Sequence, residues 1–235
     1  MKSDKGRGPE VLLGFGNTKL GPIHTFTLPA GDTCPGQSEL CAKHCYAKRG
    51  TIRLQQDRGT YHKNLELAEC ADFVSRMADE IRFRQVMVVR IHPSGDFFSE
   101  KYVRKWIEIA KLRPQARFFA YTRSWRVRDI RPALNEFSKL PNVRLWYSCD
   151  KETGLPASVG KNVRLAYMAV DDDDVPERRP DLAFRVKRKT VVKKMGPTLV
   201  CPSENGITDT TCDKCGVCWK PLAEKDARRI ALAVL

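Results

Sequence analysis

The chain has 235 residues, of which 42% are hydrophobic, a length and composition that suit one domain with a sizeable core. Lysine and arginine number 42 against 28 acidic residues, and the resulting net charge of +14 favours a polyanionic partner, most often nucleic acid. No stretch is apolar enough to cross a membrane and the start, MKSDKGRGPE, does not resemble a signal peptide, so we expect no membrane association and a cytoplasmic location.

The first part of the chain predicts an irregular arm over residues 1–22, a strand over 23–29 and then a cysteine loop. In that loop Cys34, Cys41 and Cys45 are spaced C-x6-C-x3-C. Thiolates in a short loop converge on a metal, and three of them leave one metal position open for chemistry. A 4Fe–4S cluster, a zinc ion completed by a fourth ligand such as His44, and a purely structural knuckle all stay open.

Strands and helices alternate through the middle of the chain, which implies parallel βαβ units. We therefore predict an α/β fold, a partial or complete parallel (β/α) barrel with a C-terminal cysteine-rich metal-binding segment. The barrel-like domain spans 1–195 and the cysteine-rich segment spans 196–235. Cys70 falls inside a helical pattern and is expected to be buried. The predicted helices are 61–83, 100–112, 129–139 and 222–234, and the predicted strands are 86–91, 116–121, 143–148 and 163–170.

Polar residues follow each predicted strand, where the carboxyl ends of parallel strands line the active sites of α/β enzymes. Ser94-Gly95-Asp96 follows the second strand, and Gly95 permits a sharp turn with close approach of the backbone to a ligand. Asp96 then either acts at the site or caps the next helix, with Ser99 as the competing cap. Asp150 follows a later strand, and the acidic run 171–174 is expected to form a solvated turn.

Two basic segments are candidates for contact with nucleic acid. Arginine beside an aromatic side chain suits both phosphate contact and base stacking, and 123–131 has this pattern. Residues 185–194 are basic throughout and contain no acid. The alternative for both is a solvated charged face. The predicted nucleic-acid-binding residues are Arg123, Trp125, Arg126, Arg128, Lys187, Arg188 and Lys189.

A second cysteine group lies near the end of the chain. Its spacing, C-x10-C-x2-C-x2-C, includes a C-x2-C-x2-C run, which favours an iron–sulfur cluster over a structural zinc ion without excluding zinc. The surrounding stretch 196–221 shows no periodicity, so the metal would organise it. The predicted ligands are Cys201, Cys212, Cys215 and Cys218.

Four stretches of the chain resemble the phage "gene product 88" family. They are LPAGDTCPGQSELCAKHCYAKRG, RIHPSGDFFSEKYVRKWIEIAK, FFAYTRSW and TCDKCGVCW, and the resemblance covers most of residues 10–220. It implies a phage or mobile-element origin, hence the cytoplasm of a host cell, and no particular activity.

The layout is also similar to that of radical S-adenosylmethionine enzymes. That resemblance implies a 4Fe–4S cluster on Cys34, Cys41 and Cys45, with Tyr46 as the aromatic residue beside the last cysteine. Ser94, Gly95 and Asp96 would then bind S-adenosylmethionine, and the C-terminal cysteines would hold an auxiliary centre. The family spacing is C-x3-C-x2-C, whereas this chain has C-x6-C-x3-C.

A third resemblance, in architecture alone, is to the zinc-containing transglycosylases that exchange guanine for a 7-deazaguanine. It implies Asp96 and Asp150 as catalytic residues, one reading the base and one acting as nucleophile.

Our leading prediction is an iron–sulfur, radical S-adenosylmethionine-like enzyme that modifies DNA, RNA or a nucleotide. The alternatives are the zinc base-exchange enzyme and a non-enzymatic, metal-stapled nucleic-acid-binding protein. The sequence predicts no oligomeric state.

Overall fold

In the described part of the chain, seven parallel strands form one sheet in chain order, and the α/β class is confirmed. The alternating pattern predicts parallel pairing and the first five of these strands, whereas the last two, Leu182–Arg185 and Leu199–Val200, were not predicted. The computed structural model describes residues 12–160, 162–171, 173–186, 198–202 and 210–220. A sheet without a reversal in strand order is the arrangement from which (β/α) barrels are built. The strands are β1 (His24–Phe26), β2 (Val88–Ile91), β3 (Arg117–Thr122), β4 (Val143–Cys149), β5 (Val163–Ala169), β6 (Leu182–Arg185) and β7 (Leu199–Val200).

Helices lie between the strands in the first two thirds of the chain. The best defined begins after Ser99, whose hydroxyl accepts a hydrogen bond from the Tyr102 backbone N–H at 3.2 Å. Its apolar face, including Tyr102 and Trp106, is buried against the sheet. The helices are α1 (Glu39–Lys43), α2 (Gly50–Asp57), α3 (Thr60–Glu69), α4 (Phe73–Phe83), α5 (Glu100–Leu112), α6 (Arg131–Phe137) and α7 (Cys212–Cys215).

The single helix predicted over 61–83 is wrong, because the chain breaks between α3 and α4. Cys70 has an extended backbone (ψ 148°) and is exposed, so the expectation of a buried cysteine is also wrong. The ammonium group of Lys105 donates hydrogen bonds to the carbonyls of Ala68, Glu69 and Cys70. These bonds satisfy carbonyl groups that the broken helix leaves without partners.

The sheet has two faces with different coverings. Alternate residues such as Ile91 and Phe118 pack under α4, α5 and α6 in the main core, and this is the helix face. Phe119, Tyr121 and Trp146 point the other way and contact the C-terminal cysteine segment, and this is the opposite face.

The described residues of the predicted C-terminal segment 196–235, which are 198–202 and 210–220, pack against the sheet. Its strand β7 pairs with β6, and α7 packs on the opposite face. The predicted helix 222–234 lies outside the described residues, as do Lys187, Arg188 and Lys189. In the described part of the chain, no helix has the length and apolar character needed to span a membrane.

Candidate functional site at the carboxyl edge of the sheet

The first cysteine loop leaves β1 and folds over the carboxyl ends of the neighbouring strands. Gly36 packs so closely against the end of β3 that an added Cβ would lie 2.1 Å from the Arg123 carbonyl oxygen. The guanidinium of Arg126 donates a hydrogen bond to the Gly36 carbonyl at 3.1 Å. The loop is therefore fixed against β3, at the edge where the sequence places the candidate site.

A buried polar network connects this loop to the end of β4. The Ser38 hydroxyl donates to Asp150 Oδ2 at 2.6 Å and accepts from the Cys41 backbone N–H at 3.0 Å. Arg123 Nη1 lies 2.7 Å from the same Asp150 oxygen as an ion pair. The N-cap of α1 and a charged pair thus set the position of Cys41.

The three thiols of the loop lie close enough to influence one another electrostatically. Burial, the nearby Asp96 and the thiols of Cys41 and Cys45 together raise the pKa of Cys34 to about 12. Burial also raises the pKa of Cys41, whereas the Arg123 guanidinium opposes that rise. Such thiols stay protonated until a metal or another cation displaces the proton.

Asp96 lies in the middle of this edge and its carboxylate is saturated with hydrogen bonds. It accepts from the Thr122 hydroxyl at 2.6 Å and from the backbone N–H groups of Phe97, Arg123 and Ser124 at 2.7, 2.7 and 3.2 Å. Burial raises its pKa, and these hydrogen bonds work against the rise. Ser99 caps α5, so Asp96 instead ties the loop after β2 to the end of β3.

The loop after β2 also contacts the cysteine loop directly. Gly95 has φ +78°, and an added Cβ would lie 2.6 Å from both Leu28 Cβ and Thr33 Oγ1, so the predicted close approach at Gly95 is to the chain's own backbone and side chains. The Tyr46 hydroxyl donates to the Pro93 carbonyl. Ser94 Oγ is buried and has no hydrogen-bond partner among the described residues. Ser94 is thus a buried polar group whose hydrogen-bonding capacity the described residues do not satisfy.

A cavity of about 890 Å³ opens beside this edge, at the ends of β4 and β5. Its lining includes Asp150, Tyr167, Asp171 and Asp174. Asp174 is buried and accepts hydrogen bonds from the Tyr167 hydroxyl at 2.5 Å and the Val170 N–H at 2.9 Å. The expectation of a wholly solvated acidic turn is therefore wrong for Asp174.

The C-terminal cysteines lie on the opposite face of the sheet. The Tyr121 hydroxyl donates to Cys218 Sγ at 2.9 Å, and the Trp146 indole N–H donates to the Cys218 carbonyl at 3.0 Å. Burial raises the pKa of Cys218 to about 12, with further contributions from Cys212 and Cys201. These thiols therefore form a second group, anchored by aromatic side chains of β3 and β4.

Arg90 of β2 lies near Tyr121 and the C-terminal cysteines and was not singled out from the sequence. Its guanidinium carbon is 5.8 Å from the centre of the Tyr121 ring. Burial works to lower the pKa of Arg90, but Tyr46, Tyr121 and the thiols of Cys212 and Cys218 raise it overall. The signal available in the sequence was an arginine inside the otherwise apolar strand VVRI.

The predicted nucleic-acid residues of the 123–131 segment separate into buried and exposed members. Trp125 is 6% exposed, its ring stacks on Tyr147, and its indole N–H donates to the Ser148 carbonyl. Arg123 is also buried in its ion pair with Asp150. Trp125 and Arg123 are therefore buried, whereas Arg126 and Arg128 are exposed, and nucleic-acid binding by these four residues stays a prediction.

The side chains as placed do not form a closed metal site. Within the described residues, no group of three or more His, Cys, Asp or Glu side chains could hold a metal ion in this arrangement. All nine cysteines are free thiols, and the two groups supply soft sulfur donors of the kind that iron–sulfur clusters and zinc use. The donor chemistry fits, and the ligand sets stay predictions.

The comparisons with known proteins agree with the motifs. The chain matches the family described as Gene product 88 over residues 6–221. It is 29% identical over 223 residues to the Gene 88 protein of Mycobacterium phage L5, covering 86% of this chain and 85% of the relative. It is 30% identical over 227 residues to the Gene 88 protein of Mycobacterium phage D29, with the same coverage. No solved structure matches the chain. The chain belongs to the gene product 88 family.

Proposed function

We propose that this member of the gene product 88 family is an iron–sulfur enzyme that modifies nucleic acid or a nucleotide, built on a partial (β/α) barrel. The observation that carries the proposal is the position of the loop that contains Cys34, Cys41 and Cys45, which is packed against the carboxyl ends of β3 and β4 through Gly36 and Ser38. In α/β enzymes this edge is where reacting groups are assembled.

In this proposal the three thiols of the first loop would hold the cluster, which supplies one-electron chemistry when bound. Closing the loop on a metal requires the thiol side chains to rotate toward one another, because their present positions do not enclose an ion. The network of Ser38, Asp150 and Arg123 fixes the backbone near Cys41 during that change.

The neighbouring polar groups would position the second cofactor or substrate. Ser94 Oγ, which is buried and has no hydrogen-bond partner in the described part of the chain, would bind S-adenosylmethionine beside the loop. The Asp96 carboxylate already accepts four hydrogen bonds, which occupy its acceptor positions. We therefore assign Asp96 a positioning role.

The proposal is tested by purifying the full chain without oxygen and measuring iron, sulfide and zinc per chain. We expect a brown protein with iron and sulfide, and the variant with Cys34, Cys41 and Cys45 changed to serine should lose part of both. Cys70→Ser is the matched control, because Cys70 is exposed and outside both groups. A colourless protein with stoichiometric zinc and no iron would overturn the proposal.

A second candidate is the zinc-dependent base-exchange enzyme, and it is favoured by the cavity beside Asp150. A volume of about 890 Å³ suffices for a nucleoside. It requires Asp150 to leave its ion pair with Arg123 and its hydrogen bond from Ser38 before it can attack a sugar carbon. Retention of base exchange in the Asp150→Asn variant would exclude it.

A further inference from the structure

A diagonal line of three arginines crosses the opposite face of the sheet. Arg117, Arg144 and Arg164 stand at or near the first positions of β3, β4 and β5. Phe119 is the registered neighbour of Arg144, and Trp146 is the registered neighbour of Arg164. Because side chains alternate along a strand, all three arginines share the face that carries Phe119 and Trp146. We call this set the arginine diagonal.

The geometry of a parallel sheet fixes the spacing of the arginine diagonal. Each step moves to the adjacent strand and two residues along it, which corresponds to about 8 Å between Cα atoms. The set lies at the amino-terminal edge, whereas the cysteine loop, Asp96 and Asp150 lie at the carboxyl edge. It is therefore a separate surface from the candidate site.

The positive charge of the arginine diagonal is not neutralised within the described part of the protein. No ion pair joins any of the three to an acidic side chain among the described residues. Nε of Arg144 is buried and has no hydrogen-bond partner among the residues that the structure describes. Burial, Arg164 and Arg117 all act to lower the pKa of Arg144. An anion bound between these groups would relieve both the repulsion and the unpaired donor.

The chemistry of the arginine diagonal suits phosphate. Guanidinium groups bind phosphate oxygens with paired N–H donors, and they stay charged at neutral pH. Arg117 is exposed, and Arg144 and Arg164 are half-buried, so a ligand from solvent can reach them. The guanidinium carbon of Arg164 also lies 5.8 Å from the centre of the Trp146 ring, which holds that side chain on this face.

We propose that the arginine diagonal binds the phosphate backbone of a nucleic-acid strand. The inference rests on the proposed function, since that function supplies nucleic acid as the partner, and it adds a second contact surface away from the reacting edge. The net charge of +14 favours a long polyanion over a small phosphate compound as the source of those phosphate groups.

The test compares salt-dependent binding of a fluorescent single-stranded DNA oligonucleotide to the full chain and to a variant with Arg117, Arg144 and Arg164 changed to glutamine. We expect the slope of log affinity against log salt to fall in magnitude by about 2, because each phosphate contact on a single strand contributes about 0.7. The matched control removes three positive charges on the helices, with Arg82, Lys101 and Lys111 changed to glutamine, and should keep the wild-type slope.

Two further variants keep the test decisive if the triple glutamine variant does not fold. Arg144→Gln alone should reduce the magnitude of the slope of log affinity against log salt by about 0.7. A variant with Arg117, Arg144 and Arg164 changed to lysine keeps the three charges and should keep the wild-type slope. If wild type binds DNA and the slope is unchanged in Arg144→Gln and in the triple glutamine variant, the arginine diagonal does not bind DNA. That result would leave the proposed function standing. A wild type that does not bind DNA would remove nucleic acid from the proposed function as well.

Inorganic tripolyphosphate is the probe that tests whether a small phosphate compound, and not a nucleic-acid strand, is the ligand. We expect it to compete with DNA only weakly, because it offers few phosphate groups. Tight tripolyphosphate binding that the triple glutamine variant loses, together with unchanged DNA binding, would overturn the nucleic-acid strand as the ligand.

Discussion

Arg123 and Asp150 form a buried ion pair, with 2.7 Å between Nη1 and Oδ2, that joins the end of β3 to the end of β4. Asp150 also accepts hydrogen bonds from the Ser38 hydroxyl and from the backbone N–H groups of Glu152 and Thr153. One carboxylate therefore connects the cysteine loop to two strand ends. Removing it leaves a buried guanidinium and several donors without a partner.

We expect Asp150→Ala to lower the free energy of unfolding by about 3–5 kcal/mol, the usual cost of breaking a buried pair from one side. Urea denaturation followed by circular dichroism measures this change. Glu100→Ala is the control, because the pair between Glu100 and Arg104 is about half exposed and water screens its attraction, so its loss should cost far less. Similar small losses in both variants would show that the Arg123–Asp150 pair does not hold the edge together.

Gly95 provides a second test of how tightly the two loops pack. We expect Gly95→Ala to cost about 2–5 kcal/mol, since it combines a positive φ with contacts of 2.6 Å to Leu28 Cβ and Thr33 Oγ1. Gly154→Ala is the matched control: Gly154 has φ +61°, and no atom of the described residues lies within 4 Å of an added Cβ. It should cost only about 1–2 kcal/mol. Equal losses in the two variants, measured by thermal unfolding, would contradict the close packing.

The sequence was sufficient to predict the parallel strands β1 to β5 and the edge at which polar groups gather, whereas β6 and β7 were not predicted. Alternating strands and helices determine parallel pairing, and parallel pairing brings the ends of β1 to β5 together whatever the side chains are. Cys34, Asp96 and Asp150 are neighbours for that reason. The break at Cys70 was not predictable from periodicity, because the apolar pattern continues through it and the stabilising contacts come from Lys105, distant in sequence.

The roles of individual side chains depended on tertiary distances that no pattern contains. Trp125 follows a strand and precedes basic residues, which suggested a binding surface, yet Tyr147 on the next strand provides a stacking partner that buries it. The arginine diagonal had a visible signal, since VRL begins both β4 and β5. The sequence alone does not show that Arg144 and Arg164 lie on adjacent strands and on the same face. That follows only from the register between β4 and β5.

His92 makes the stability of the protein dependent on pH. It is buried, its Nε2 lies 2.8 Å from the Tyr102 hydroxyl, and burial lowers its pKa from 6.5 to about 3. The unfolded chain therefore takes up a proton near pH 6.5 that the folded protein rejects until about pH 3. Stability is lost as the pH falls through this window, by about 2 kcal/mol between pH 7 and pH 5.

The variant His92→Asn isolates this effect, because asparagine tolerates the positive φ of +58° at this position. We expect wild type to lose about 2 kcal/mol more than His92→Asn between pH 7 and pH 5, measured by urea denaturation at each pH. His62→Asn is the control, since His62 is exposed near Asp32. It should follow wild type, and parallel pH profiles for His92→Asn and wild type would refute a neutral buried histidine.

The two cysteine groups should bind metal independently. Cys34, Cys41 and Cys45 influence one another at the carboxyl edge, whereas Cys218 is influenced by Cys212 and Cys201 on the opposite face. We expect the double variant Cys41→Ser/Cys45→Ser to lose only the metal of the first group, and Cys212→Ser/Cys218→Ser to lose only that of the second.

Elemental analysis and visible absorbance of anaerobically purified protein measure both losses, with Cys70→Ser as the control that keeps all metal. We expect separate losses because Cys218 is hydrogen-bonded to Tyr121 on the opposite face of the sheet, whereas Cys41 is held by Ser38 at the carboxyl edge. If either double variant lost all metal while keeping its circular dichroism spectrum, the two groups would have to form one shared centre, and the packing of the C-terminal segment on the opposite face would not describe the metal-bound protein.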